Sequence, residues 1–204
     1  MRALRAVRSR RRSRSEACAW LLLLCVASAA SAADAPKLQA GVFDPPRMAP
    51  DFTLRGSDGT ELVLAKFRGK AVILGFGFSS CPDVCPITLA TLASARKKLG
   101  ELRDQVQVVY VTVDPERDDP ARLRTYLEKF DPTFLGGTGT GEQLEAVRNE
   151  YGIAATRVTK GDSYAFSHSS YTYLIDRAGR LRALMPFGSS ADAYVHDLQI
   201  LLAQ

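Results

Sequence analysis

The sequence predicts an α/β fold in which a central mixed sheet carries flanking helices and an N-terminal β-hairpin. Three observations carry that expectation. Apolar runs of strand length alternate with segments of helical pattern between residues 71 and 151. A turn-rich stretch splits two short strand-like segments ahead of them, and a second hairpin pattern followed by a helical one closes the chain. Alternating strand and helix implies parallel strands joined by right-handed crossovers. Hairpins add antiparallel strands, so the sheet is expected to be mixed.

In chain order, the first 32 residues read as a targeting segment. Seven arginines (Arg2, Arg5, Arg8, Arg10, Arg11, Arg12, Arg14) come before Glu16; the apolar run from Ala17 to Ala27 follows, and then Ala30-Ser31-Ala32. Basic, apolar and small-residue regions in that order describe a secretory signal, and the apolar run is shorter than the roughly 20 residues of a membrane span. The segment is expected either to be cleaved near Ala32 or to stay as an N-terminal anchor, and the protein to be exported to the periplasm. Residues 33–49, with Pro36, Pro45 and Pro46, read as linker, and residues 50–204 as one domain. Asp51 to Leu54 and Glu61 to Leu64 flank Gly56-Ser57-Asp58-Gly59 and predict the hairpin.

Ala71 to Gly77 has the length and composition of a buried strand, and Pro86, whose missing N–H costs nothing at a helix start, opens a helix to about Leu99. Gln105 to Val113 is rich in β-branched residues, and Asp118-Asp119-Pro120 starts a helix to about Phe130. A third helix is expected over 141–151. Ser170 to Ile175 and Leu181 to Pro186 form a hairpin across Asp176-Arg177-Ala178-Gly179, and a helix over 191–203 ends the chain.

The charge pattern excludes one function class. The chain holds 27 basic and 22 acidic residues. Without its first 32 residues 20 basic and 21 acidic ones remain. The basic character therefore belongs to the leader, and the domain gives no support for nucleic-acid binding. Of the four cysteines, Cys18 and Cys25 fall in the leader.

The remaining pair carries most of the functional information. Cys81-Pro82-Asp83-Val84-Cys85-Pro86 sits between the buried strand and a helix, where the helix N-terminus favours a thiolate over the free thiol, whose pKa is about 8.5. Exported cysteine pairs are usually structural disulfides. A bridge closing so short a loop would restrain little of the unfolded chain. Two adjacent soft thiolates suit copper or redox chemistry instead.

Three segments in order resemble the Sco/SenC family, copper chaperones needed to assemble the copper centre of cytochrome c oxidase. They are Cys81 to Pro86; Val111-Thr112-Val113-Asp114-Pro115-Glu116-Arg117-Asp118; and His168 ahead of Tyr171-Thr172-Tyr173-Leu174-Ile175-Asp176. The resemblance covers the domain from Pro50 onward. It implies a thioredoxin-like fold and a mononuclear copper site, Cu(I) or Cu(II), made by Cys81, Cys85 and His168. It also implies as partners the copper-accepting oxidase subunit and an upstream copper donor or thiol reductant. Thioredoxin-like oxidoreductases carry a proline just before the strand facing their cysteines. The corresponding position here is near Ser170, and no proline is there.

The chain has one other histidine, His196, on the terminal helix, an ordinary place for a surface or half-buried residue. Asp114 follows a central strand at the sheet end that bears the dithiol, where α/β folds place their sites. It is expected to orient ligands or dock a partner, as is Asp83 between the cysteines. Met48 and Met185, and the alternating Tyr164, Phe166, Tyr171 and Tyr173, read as packing. The expected function is a metallochaperone rather than an enzyme. The alternative is a thiol-disulfide reductase that keeps the recipient's cysteines reduced, with Cys81 attacking.

Overall fold

The structure, a computed structural model, describes residues 37–204. The leader expected over 1–32, with Cys18 and Cys25, lies outside the described residues. The strands are β1 (Gly41–Met48), β2 (Thr53–Gly56), β3 (Glu61–Val63), β4 (Ala71–Gly77), β5 (Val106–Thr112), β6 (Leu135–Thr138), β7 (Ala155–Lys160), β8 (Ser163–His168), β9 (Thr172–Ile175) and β10 (Arg180–Met185). The helices are α1 (Val84–Lys98), α2 (Pro120–Leu127), α3 (Gly141–Tyr151) and α4 (Ala191–Leu202).

Eight strands form one mixed sheet in the order β1-β10-β9-β4-β5-β6-β2-β3, and β7 and β8 form a separate two-stranded sheet. β4, β5 and β6 run parallel, whereas β9, β10, β1, β2 and β3 join antiparallel to their neighbours. Every residue of β4 and β5 is buried, which is why both read as continuous apolar runs rather than alternating ones. The helix starts follow the capping residues in the sequence. Asp119 accepts from Arg122 N at 2.7 Å, Thr140 and Gln143 form a capping box, and Ser190 accepts from Ala193 N at 3.2 Å; each satisfies an N–H that a helix leaves unpaired.

Two differences from expectation bear on the site. The stretch read as linker carries β1 from Gly41, paired with β10 at the sheet edge. Its pattern hid it because nearly all of it is exposed and Pro45 and Pro46 fall where the register shifts, as edge strands allow. α1 starts at Val84 rather than Pro86 and so takes Cys85 into its first turn. Pro86 is then the third helical residue, whose N–H would be unpaired in any case.

The sheet faces are set by side-chain size. Gly75 pairs with Tyr110, and Gly77 with Thr112. A Cβ at Gly77 would lie 1.9 Å from the Tyr110 hydroxyl and 2.7 Å from Cys85 Sγ. The glycines thus open the sheet face on which Tyr110 lies, and α1 brings Cys85 against it. On the opposite face Tyr151 of α3 packs on Phe76 and Tyr173, with ring centroids 5.7 and 5.1 Å apart.

Candidate metal centre

After β4 the chain turns, with Cys81 N donating to the Phe78 carbonyl at 3.3 Å. Asp118 ties this turn to the sheet. Its carboxylate, fully buried, accepts from Ser79 N at 2.9 Å, Ser79 Oγ at 2.5 Å and Thr112 Oγ1 at 2.6 Å. Arg122 covers the same turn from α2, donating to Ser79 Oγ at 2.8 Å and Ser80 Oγ at 2.9 Å. Removing a buried acceptor strands its donors. Asp118→Ala is therefore expected to cost about 3 kcal/mol of folding stability in a urea melt; a loss below about 0.5 kcal/mol would mean that the turn holds without it.

Both cysteines are free thiols. Cys81 is half-buried and Cys85 is 2 % exposed. The neighbouring Cys85 thiol, with the backbone N–H groups of Asp83 and Cys85, brings Cys81 down to about 5 against the opposing effect of burial. The neighbouring Cys81 sulfur, together with burial, pushes Cys85 far up. Cys81 is thus the thiolate of the pair and Cys85 keeps its proton. Alkylation of Cys81 by iodoacetamide is expected to rise through a midpoint near pH 5, with Cys85 unreactive at neutral pH. A midpoint above 8 would remove this assignment.

His168 is the last residue of β8. Its Nδ1 lies 2.8 Å from the Ser169 carbonyl oxygen, and its Nε2 lies 3.6 Å from Cys85 Sγ. A carbonyl only accepts, so Nδ1 carries the proton and Nε2 presents its lone pair to the cysteine. The Phe78 ring meets the imidazole edge-on at 6.0 Å. Gly75, Cys85, Tyr110, His168 and Thr172 line one small cleft. The Cys85 thiol proton has His168 Nε2 as an acceptor facing it. As the side chains stand, no three His, Cys, Asp or Glu residues among the described residues form a group able to hold a metal ion.

The two acidic residues singled out in the sequence take different places. Asp83 is the exposed N-cap residue of α1, with no side-chain hydrogen bond to the helix. Asp114, 1 % exposed, binds the Arg117 guanidinium and accepts from the Tyr164 hydroxyl at 2.9 Å. Its contacts run to β8 rather than to the cysteines. The Tyr164 ring lies between Arg117 and Arg157, whose Cζ atoms stand 3.9 and 3.5 Å from its centroid, and Arg157 pairs with Glu116 at 2.7 Å. This stack fastens the strand that carries His168 to the loop after β5. His196 is remote from it, held on α4 beside Asp197 at 2.9 Å. Met48 is exposed in β1, and Met185 is buried in β10.

The sequence shows Asp118 at a helix start and inside the Val111–Asp118 segment, and Tyr110 as one residue of a strand. It gives neither a role at the site, because their partners around the cysteine turn depend on the pairing of β4 with β5. Burial raises Tyr110 well above its ordinary value, and the neighbouring Cys85 adds to this.

Comparison with known proteins follows the same geometry. A family model described as SCO1/SenC matches residues 42–203. A SCO2-like protein of Rickettsia conorii is 36% identical over 133 residues, which is 64% of this chain and 65% of the relative, so the alignment spans just under two thirds of that protein. Bradyrhizobium japonicum ScoI, solved with copper bound, is similar at a TM-score of 0.71 and 31% identity, covering 76% of this chain and 99% of the other. Apo Sco1 of Thermus thermophilus is similar at a TM-score of 0.73 and 35% identity, covering 81% of this chain and 98% of the other.

Proposed function

The chain belongs to the SCO1/SenC family and has its thioredoxin-like fold, and from that premise we propose that it is a copper metallochaperone holding one copper ion through Cys81, Cys85 and His168. The observation that carries the reading is Cys85 Sγ 3.6 Å from His168 Nε2, with His168 already in the tautomer that offers Nε2. A cation that replaces the Cys85 proton would be held by both, with Cys81 from the same segment as the third donor. Two thiolates suit Cu(I), and the imidazole extends the set to Cu(II). Closing the set requires Cys81, the less buried of the two cysteines, to swing toward Cys85 and His168. Asp118 holds the turn that carries Cys81. Asp114 holds the strand that carries His168, and Asp83, exposed between the cysteines, is available to a partner.

The recipient in this reading is the subunit of cytochrome c oxidase that bears the binuclear copper site. Support comes from the description of the Sco family as cytochrome c oxidase assembly proteins. Loading draws on an upstream copper donor or a thiol reductant. In this reading the leader serves export to the periplasm, with the segment either cleaved or retained as an anchor. Among the described residues, no helix is long and apolar enough to cross a membrane. The test is an anaerobic copper titration of the reduced protein. One tightly held copper per chain is expected, and binding unaffected by prior oxidation of the dithiol would overturn the reading.

A second reading is favoured by the low value of Cys81 beside a protonated Cys85. As a thiol-disulfide reductase, the Cys81 thiolate would attack a recipient disulfide, forming a mixed disulfide and releasing one thiolate. Cys85, deprotonated, would then attack the Cys81 sulfur, closing the Cys81–Cys85 bridge and releasing the second thiol. Reduction of the oxidase subunit's cysteines by copper-free protein would support this; no turnover would eliminate it.

A further inference from the structure

We infer that the Tyr110 hydroxyl is a hydrogen-bond donor reserved for the Cys85 thiolate, which makes Tyr110 a positioning residue for copper at this site; the inference rests on the metallochaperone reading. Tyr110 lies on β5, opposite Gly75. Its hydroxyl reaches past Gly77 to the volume where Cys85 Sγ also sits, since a Cβ placed on Gly77 would meet both atoms. The residue is 2 % exposed, and its buried hydroxyl has no oxygen or nitrogen partner among the described residues, which leaves it facing the Cys85 sulfur. A tyrosine so placed is anomalous, because buried hydroxyls are nearly always paired. Phenylalanine would fill the same ring volume without stranding a polar atom.

The neighbouring sulfur supplies the reason. A thiol sulfur is a weak acceptor. When copper binds, the Cys85 proton leaves for solvent and the sulfur becomes an anionic acceptor, to which a hydrogen bond is roughly twice as strong as a neutral one. The Tyr110 O–H then has a strong acceptor where the dithiol state offers it only a weak one. His168 Nε2, occupied by the metal in that state, no longer competes for a proton at Cys85. Donors aimed at a metal-bound thiolate are outer partners that tune affinity and electronic structure.

Tyr110→Phe in the full-length protein separates this role from packing, because the two predict opposite signs. The copper-free dithiol protein is expected to be as resistant to urea as wild type, or more so, since a stranded hydroxyl is gone. Its Cu(I) affinity, measured by competition with a chromophoric chelator, is expected to fall about tenfold. In the Cu(II) form the thiolate-to-copper absorption band is expected to move to longer wavelength, because the sulfur has lost a donor. Unchanged affinity with an unchanged band would overturn the inference. So would a loss of affinity matched by an equal loss of copper-free stability, which is the signature of packing. The wild-type titration keeps the two levels apart: copper held equally by both proteins refutes only the hydroxyl's role, whereas wild-type protein that holds none refutes the reading beneath it.

Discussion

Replacing Cys81 or Cys85 by serine is expected to lower Cu(I) affinity by on the order of a hundredfold to a thousandfold. Four-ligand thiolate and imidazole zinc sites bind with about 10–16 kcal/mol, which is roughly 2.5–4 kcal/mol per ligand, and each 1.4 kcal/mol is tenfold. The two variants should differ in what else they do. Cys81 is the less buried of the pair, so Cys81→Ser leaves the packing intact and removes the thiolate that titrates near 5. Cys85 lies in the first turn of α1 against Tyr110 and His168. There a serine hydroxyl can still donate to His168 Nε2, so the fold should survive while the second sulfur is lost. Chelator competition on the reduced proteins checks both, and wild-type affinity in either would exclude a two-thiolate site.

His168→Ala is expected to separate the two oxidation states of copper. Cu(I) is satisfied by soft thiolates, so its affinity should fall only about tenfold, whereas the imidazole is what makes the set acceptable to Cu(II), whose affinity should fall on the order of a hundredfold or more. Equal losses for both ions would mean that His168 acts through the fold. That possibility has its own check, because the imidazole is packed against Phe78 and its removal leaves a small cavity. His168→Gln keeps most of the volume, and it should retain copper-free stability while losing Cu(II).

How much of this was legible in the sequence depended on whether a residue's environment is local. β4, β5 and the four helices stood out because burial on both sheet faces and helix capping are written into consecutive residues. β6 was hidden by Gly136 and Gly137, which are poor strand formers. A Cβ at Gly136 would stand 3.0 Å from Leu123 of α2, and one at Gly137 would stand 2.7 Å from Leu62 of β3, so long-range packing from both faces outweighs local preference. β7 and β8 carried a readable signal in Gly161-Asp162 between strand-like runs, with Gly161 at φ 59°. It was passed over while the tyrosines of that stretch were being read as packing. Tyr164 instead bonds Asp114 and sits between two guanidinium groups.

In the proposed site, Cys81, Cys85 and His168 stand out by residue type and motif. The hydrogen bond that selects the His168 tautomer was not, because it depends on the chain path from His168 to Ser169 after β8. The roles of Asp118 and Tyr110 were not legible for a related reason. Each meets the cysteine segment only because β4 and β5 pair with Gly75 opposite Tyr110 and Gly77 opposite Thr112, and one residue of slip would turn Tyr110 to the other face.

The two-stranded sheet has a thermodynamic meaning of its own. β7 and β8 exchange backbone hydrogen bonds only with each other, and β8 is half-buried along most of its length. The hairpin meets the rest of the molecule chiefly through Arg117, Arg157, Phe78 and Asp114. Detaching it breaks none of the eight-stranded ladder, so its opening free energy is set by a few side-chain contacts rather than by global unfolding. Amide hydrogens of β8 should therefore exchange well before those of β4 and β5. The imidazole thus belongs to a unit with its own opening equilibrium, whereas Cys85 sits in the first turn of α1 against the eight-stranded sheet, so the proposed donors reside on parts of the molecule with separate lifetimes.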